Sequence, residues 1–478
     1  MIFTSLNFLF FFPALAVLFY ITPIKWRGLL LLLASILFYL NISPIYLLLL
    51  VGVVSSTYLF THLMSKSNDD GRKRQYMISN IVLILLPLFF FKYFQTINSY
   101  VFHSLSENGL RWPLPELDFL LPVGISFYTF VAIGYTIDVY NEEVEVENNF
   151  GILTLFISFF PLILSGPIER AGNMLPQFRN WKPINFEGIS SGLKLMLWGY
   201  FMKLVVADRL GIYIDAVLNN LDNHNGSTLL LTSGLYPFQV YCDLGGYSLI
   251  AIGTAKTLGL NVMQNFRQPF FATSMSDFWR RWHISLITWL TDYLYTPLAF
   301  HFRKLKVKGI IIALLLTFII SGIWHGAALT FLVWGIMQGV FLSIEALTQK
   351  RRTAWEQKHN FSKNRFYLVV CMLVTFILFA ASQIFGRAVN MDSAILVYRK
   401  ILFEHGNLYL DITTLIFGLF GLSIVFLKDF KDEFFAGRFQ VSNINCKYVR
   451  FGIYTVVFYI IILMGCFEKS SSFIYFKF

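Results

Sequence analysis

Apolar residues along this chain gather into long unbroken runs, separated by short polar stretches, with little of the alternation that marks a half-buried strand. The runs occupy 2–21, 28–40, 44–63, 77–95, 118–140, 150–165, 187–206, 228–256, 309–347, 366–388, 411–427 and 449–467. A hydrocarbon core about 30 Å thick is crossed by about 20 helical residues. The run 309–347, at 39 residues, therefore predicts two crossings joined as a hairpin. The pattern predicts an all-α polytopic membrane protein of about 11–13 membrane helices with short re-entrant and interfacial helices. It reads as one integral-membrane domain over 1–478, with its motif-bearing core at 230–347. The first run has no basic residues ahead of it and no small-residue cleavage site after it, so it is expected to stay as a span.

Charge gives the hairpin an orientation. Lys and Arg cluster at 66–74, 303–308, 350–365 and 428–450, and basic short loops stay on the cytoplasmic side. Basic loops at both ends of 309–347 require an even number of crossings between them, and single crossings outward from each end place both termini outside. The stretch 96–300 carries weak, mixed charge and gives no orientation. The acidic run Glu142, Glu143, Glu145 and Glu147 reads as a solvated loop.

Composition narrows the class further. Of 478 residues, 14% are charged and 56% apolar, with a mean hydropathy of +0.62, which excludes an ordinary soluble enzyme. The net charge of +11 would suggest nucleic acid in a soluble protein; here it follows from the cytoplasmic loops, and the partner it implies is the lipid bilayer. Cys242, Cys371, Cys446 and Cys466 are scattered, without zinc or disulfide spacing, and no metal site is expected.

Two segments depart from the spanning pattern. From Ser276 to Pro297 the residues follow a helical period, with Ser276 as N-cap and Pro297 as stop. Asp277, Arg281, Ser285, Thr288, Asp292 and Tyr295 form a polar stripe, and Trp282, Leu286, Trp289, Leu290, Tyr293 and Leu294 lie opposite. Such a helix suits a membrane interface or the rim of a polar cavity. His283 lies on its apolar side. The second segment, Ser321-Gly-Ile-Trp-His-Gly, sets His325 inside the hairpin run between Gly322 and Gly326, where backbone or ligand is expected to approach closely; for the chemistry, the glycines are expected to open space for the reactants. From Gly309 to His325 a straight helix rises about 24 Å, past the midplane of the bilayer.

A histidine in hydrocarbon either bridges helices structurally or faces a functional cavity. A neutral imidazole with a pKa near 6.5 can take a proton from a hydroxyl and return it to a leaving group. Transfer of an acyl group from a thioester to an alcohol needs that base, and apolar walls keep water from the donor. The residues alone leave an acyltransferase and a proton-coupled transporter both open.

The order of motifs carries the reading further. Ser276-Asp-Phe-Trp-Arg-Arg-Trp-His-Ile-Ser-Leu, Asp292-Tyr-Leu-Tyr-Thr-Pro-Leu and Gly322-Ile-Trp-His-Gly-Ala resemble the signature of the membrane-bound O-acyltransferase family, in particular its alginate O-acetyltransferase branch. Leu121-Pro-Val-Gly-Ile-Ser-Phe-Tyr-Thr-Phe, Phe160-Pro-Leu-Ile-Leu-Ser-Gly-Pro-Ile-Glu-Arg, Phe238-Gln-Val-Tyr-Cys-Asp-Leu-Gly-Gly-Tyr-Ser and Phe473-Ile-Tyr-Phe-Lys-Phe extend the resemblance over nearly the whole chain. It implies a multi-pass protein of the bacterial inner membrane, with helices ringed around a central tunnel. It implies His325 as catalytic, with His283 as the second motif histidine. Asp277, Trp279, Arg280, Arg281, Trp282, Trp324, Tyr241 and Asp243 match motif positions and are weaker candidates for the tunnel. Acetyl-CoA is the implied acyl donor, with no bound cofactor, and an SGNH-type acetyltransferase outside the cytoplasm is the implied partner in polysaccharide O-acetylation. The D-alanyl branch acting on teichoic acid, and a transporter or flippase, are the alternatives.

Three departures concern the acceptor. The chain has Leu244-Gly-Gly-Tyr-Ser-Leu249 where relatives carry a Phe-Ser-Gly-Tyr-Ser-Asp type motif. It lacks a Gly-Gly-Asn-Arg type turn after Pro297, and it has Gln338 where a His often stands.

Overall fold

The computed structural model describes residues 2–42, 44–108, 122–361, 364–435 and 446–467, and every regular element among them is helical. The terminal Phe473–Phe478 motif and Leu121 lie outside the described residues. Seven helices among those described are long and apolar enough to cross a membrane. They are Leu47–Lys66, Asp70–Phe94 (the apolar part of a longer helix), Val307–His325, Leu329–Lys358, Arg365–Arg387, Ile412–Phe434 and Lys447–Met464. Leu6–Ile21, Ile125–Tyr140 and Phe150–Ile163 are apolar but shorter. The chain is thus an all-α, multi-pass membrane protein. Residues such as Phe10, Leu48, Phe366 and Leu463 point outward, as lipid-facing side chains do. The chain divides into two compact units.

The first unit comprises Met1–Leu195 with Ala251–Met263. It holds α1 (Leu6–Ile21), α2 (Arg27–Leu40), α3 (Leu47–Lys66), α4 (Asp70–Glu107), α5 (Ile125–Tyr140), α6 (Phe150–Ser158), α7 (Phe160–Ile163) and α8 (Ala171–Arg179), with the start of α9 (Phe186–Tyr200). Three of its buried polar side chains are hydrogen-bonded across helices: Asn80 Nδ2 donates to Thr136 Oγ1 at 2.8 Å, and Ser35 Oγ accepts from Phe160 N–H at 3.1 Å. Gly124, at φ 82°, starts α5 where a Cβ would lie 2.5 Å from the Ile163 carbonyl oxygen, so only glycine fits.

The acidic loop is a correction. Glu142 is exposed and pairs with Lys73, but Glu147 is buried, 2.6 Å from Arg179 Nη2, and accepts from Asn149 N–H. A charge run gives no hint of which member will be buried against a guanidinium 32 residues away.

The second unit comprises Met196–Ile250 with Gln264–Phe478. After α9 comes a wide π-helical segment at Phe201–Ala207, then α10 (Asp208–Leu218) and α11 (Gly226–Thr257). Next are four short elements: α12 (Met275–Trp279), α13 (Ile284–Leu290), a second π segment at Thr291–Tyr295, and α14 (Thr296–His301). The long helices α15 (Val307–His325), α16 (Leu329–Lys358) and α17 (Arg365–Arg387) follow, and then α18 (Met391–Phe403), α19 (Ile412–Phe434) and α20 (Lys447–Met464).

The hairpin forms as the run length predicts. The α15 and α16 backbones meet at glycines: a Cβ on Gly335 would lie 2.3 Å from the Phe318 carbonyl oxygen and 3.2 Å from Gly322 Cα.

The single helix expected from Ser276 to Pro297 does not form. Ser274, not Ser276, caps α12 by accepting from Asp277 N–H, and α12 ends at Trp279. The chain then turns through Arg280–His283 and restarts as α13. Pro297 does not stop it. Pro297 sits at the start of α14, just beyond the π segment, and the helix continues to His301. The wider π turn relaxes the backbone where an α-helical proline would clash with the carbonyl four residues earlier.

Candidate active site

His325 is the last residue of α15. Gly326 is extended at φ −176°, and α16 restarts at Leu329, so the imidazole stands at the bend of the hairpin. Of the two approaches the glycines beside it allow, the structure shows that of the partner helix rather than space for a ligand. A Cβ on Gly322 would lie 2.4 Å from the Phe331 carbonyl oxygen, and one on Gly326 would lie 2.5 Å from the Phe331 ring. The partner helix has already taken that space. Aromatic rings surround His325 instead: Trp324 at 4.6 Å, Trp334 at 5.0 Å, edge to face, and Phe331 at 6.2 Å.

His283 reaches the same place by a different construction. It caps α13 in a left-handed conformation, φ 46° and ψ 50°, which few non-glycine residues adopt. The segment 265–267 holds this turn. Asn265 accepts Ile284 N–H on its carbonyl and both Ser285 N–H and Ser285 Oγ–H on its side chain, while Arg267 N–H donates to the Arg281 carbonyl. Ser285 is consequently buried, although the helical stripe placed it on the polar face. Burial lowers the His283 pKa to about 4, so this imidazole is neutral near pH 7.

The two histidines line one cavity. Trp279, Trp282 and Leu286 wall it from the short helices, Tyr236, Val240 and Leu244 from α11, Ser321 and Trp334 from the hairpin, and Gln383 and Gly386 from α17. The walls are largely apolar, which lowers the local dielectric and excludes bulk water. Gln338, the residue that replaces a histidine, lies behind this wall. It accepts from Trp279 Nε1 at 3.3 Å and donates to Ser382 Oγ at 2.6 Å, tying α12, α16 and α17 together.

A second cavity, of about 450 Å³, shares Tyr236 and Gln383 with the first. It extends toward Arg387 at the end of α17, which donates to Asp215 at 2.7 Å and Asn219 at 3.2 Å. The first chamber holds the imidazoles, and the second is edged by the Arg387–Asp215 ion pair.

The other sequence candidates divide. Trp279 and Trp282 line the imidazole cavity. Trp324 is buried against His325 but is not in the cavity wall. Asp277 and Arg281 pair at 3.0 Å, with Glu433 2.8 Å from Arg281, and Arg280 is exposed. Tyr241 donates to Asp429 at 2.7 Å, away from the cavity. Asp243 joins Asp208 around Lys203, at 2.6 and 2.8 Å, with all three side chains almost wholly buried. That triad was not foreseen, because Lys203 looks like an interruption in an apolar run until the π segment turns it inward. Trp334, Tyr236 and Gln383 were also missed; within apolar helices they carry no local mark that separates them from core.

Comparison with known proteins agrees with this architecture. The chain is similar to the probable alginate O-acetylase AlgI of Pseudomonas syringae pv. tomato, 34% identical over 72% of this chain and 66% of that one. It therefore spans slightly under two thirds of that relative's length. The probable alginate O-acetylase AlgI of Pseudomonas putida is 31% identical, over 90% of this chain and 88% of its own. The peptidoglycan O-acetyltransferase of Helicobacter pylori is 30% identical, over 79% and 74%. The profile of MBOAT, the membrane-bound O-acyltransferase family, matches residues 35–383, a stretch that holds both histidines and every named wall residue of their cavity except Gly386. By that match the chain belongs to the membrane-bound O-acyltransferase family.

Proposed function

We propose that this protein is an O-acetyltransferase of the bacterial inner membrane. It takes an acetyl group from cytoplasmic acetyl-CoA and delivers it to a hydroxyl on the far side, for O-acetylation of an extracytoplasmic polysaccharide through an SGNH-type partner. The observation that carries the reading is the shared cavity: a hydroxyl-activating imidazole at a hairpin bend, inside apolar walls, beside a second chamber. His325 is the general base. It removes the acceptor proton as the hydroxyl oxygen attacks the thioester carbonyl, and it protonates the departing thiolate. His283, held neutral by burial, orients the reactants from the opposite wall. Trp279, Trp282 and Leu286 keep water from the thioester. The names of the relatives, which include alginate and peptidoglycan O-acetylating proteins, support acetyl as the group moved.

The test is donor use by the purified full-length chain in nanodiscs, supplied with radiolabelled acetyl-CoA and, separately, with a D-alanyl thioester of a carrier protein. CoA release should accompany acetyl transfer. His325→Ala should lower the rate by about 10²- to 10⁴-fold while protein level and membrane insertion persist. Full activity of a well-expressed His325→Ala protein overturns the mechanism, and use of the D-alanyl carrier alone overturns the acetyl assignment.

A further inference from the structure

The acyl-transfer reading assigns a base and walls but leaves open what receives the negative charge on the thioester oxygen as the hydroxyl adds. Water cannot do so in an apolar cavity, and an undelocalised oxyanion there needs a preplaced donor. Several groups lining the cavity carry a polar hydrogen, Tyr236, Trp282, Ser321 and Gln383 among them, and Trp334 stands out by burial and position. Trp334 is 94% buried, lines the cavity and packs edge to face on His325 with ring centres 5.0 Å apart. Its Nε1–H has no hydrogen-bond partner. The indole of Trp279, by contrast, donates to Gln338. A buried N–H left without an acceptor is unfavourable, and a fold that retains one beside a reactive imidazole gains from it only when an acceptor arrives.

A glycine stands beside that N–H. Gly386 borders the same cavity, and a Cβ built on it would stand 4.0 Å from Trp334 Nε1 and 3.7 Å from Trp334 Cδ1. The Gln383 side-chain oxygen would lie 3.4 Å from that Cβ, so an alanine methyl fits without moving backbone, yet it takes the room next to the indole N–H. The glycine therefore leaves open a place that packing does not require to be open.

The geometry points to Trp334 Nε1–H as the oxyanion donor of the transfer reaction, a catalytic residue in its own right, with Gly386 keeping its approach clear. The inference rests on the acyltransferase reading above. In the step it serves, the acceptor hydroxyl gives its proton to His325 and its oxygen bonds to the thioester carbon. The carbonyl π pair moves onto oxygen, which accepts the Trp334 hydrogen bond. When the carbonyl re-forms, the C–S bond breaks and the thiolate takes the proton from the imidazolium, leaving ester and free thiol. No other reactant is consumed.

The decisive variant replaces Trp334 with 3-benzothienylalanine, in which sulfur stands for the N–H in a ring system of the same shape; Trp334→Phe and Gly386→Ala accompany it. Acetyl transfer is followed in membranes carrying the native acceptor and supplied with acetyl-CoA, and donor binding is measured with the non-transferable analogue acetonyl-CoA. Removing one oxyanion donor lowers kcat by about 10²- to 10³-fold. The benzothienyl protein should show a loss of that size with analogue Kd within twofold of wild type, and Gly386→Ala should fall in the same direction. Wild-type kcat in the benzothienyl protein, with His325→Ala inactive, overturns the Trp334 assignment and leaves the acyltransferase reading standing. Loss of analogue binding in step with activity overturns it as well, because Trp334 would then hold the donor rather than the oxyanion. An active His325→Ala protein removes the reading beneath both. If Trp334→Phe fails to accumulate, the benzothienyl isostere decides.

Discussion

The two histidines of the cavity come from regions built on opposite principles. His325 ends a regular 19-residue helix whose partner meets it glycine to glycine, so its position is fixed by close backbone packing over the length of a hairpin. His283 sits in a tight left-handed turn between helices of five and seven residues, held by hydrogen bonds to Asn265. The first region resists displacement because any added atom meets backbone. The second is positioned by a few polar contacts and by the aromatic wall of Trp279 and Trp282. A general base benefits from the stiffer mounting, and an orienting group can tolerate the looser one.

The largest effect is expected at the cavity wall. Leu286 is 3% exposed and lines the cavity, so Leu286→Asp places a carboxylate there without a counter-charge, at a cost of about 3–5 kcal/mol. The protein should fail to assemble, as read by size-exclusion profiles in detergent; a monodisperse, active Leu286→Asp protein would mean that the short helices do not pack as described. Next comes the hairpin. Gly335→Ala brings a methyl onto the Phe318 carbonyl and should cost about 1–3 kcal/mol by overpacking, lowering the Tm along with activity. Asn265→Ala should separate the two regions. It leaves Ser285 N–H unsatisfied, at about 1–3 kcal/mol, and releases the His283 turn while the α15–α16 contact stays intact. Hydrogen exchange should then rise across 280–287 and stay unchanged across 318–335. The smallest effect is the most specific. His283→Ala and His283→Gly both remove the imidazole and should keep the same residual turnover, but at φ 46° the glycine protein should be more stable by about 1 kcal/mol. Equal melting temperatures would argue against the left-handed turn.

Legibility in the sequence follows the same divide. The 39-residue run predicts the hairpin, and Gly322 and Gly335 show why it closes, but the sequence leaves open whether backbone or ligand takes the space at Gly322 and Gly326, and the partner helix takes it. Periodicity over 276–297 put Trp282 and Leu286 correctly on the buried face. It could not show that Ser285 would be drawn inward by an asparagine twenty residues earlier, because that bond depends on tertiary placement. Pro297 misled for a related reason: a π segment ahead of it changes what a proline does, and no residue type announces such a segment. Trp334 and Gln383 were invisible because a polar atom at the edge of an apolar helix reads as core until its neighbours are known.

Lys203 has a consequence for how the chain is made. Its first carboxylate, Asp208, lies five residues on and is brought to 2.8 Å by the wide turn between α9 and α10, whereas Asp243 arrives forty residues later with α11. During synthesis Lys203 can thus be neutralised by Asp208 before Asp243 has been made, avoiding the cost of a lone buried ammonium. The later carboxylate then docks onto a cation already in place. The order of translation is therefore also an order of charge neutralisation, and the local partner neutralises the lysine first while the distant one fixes the finished bundle.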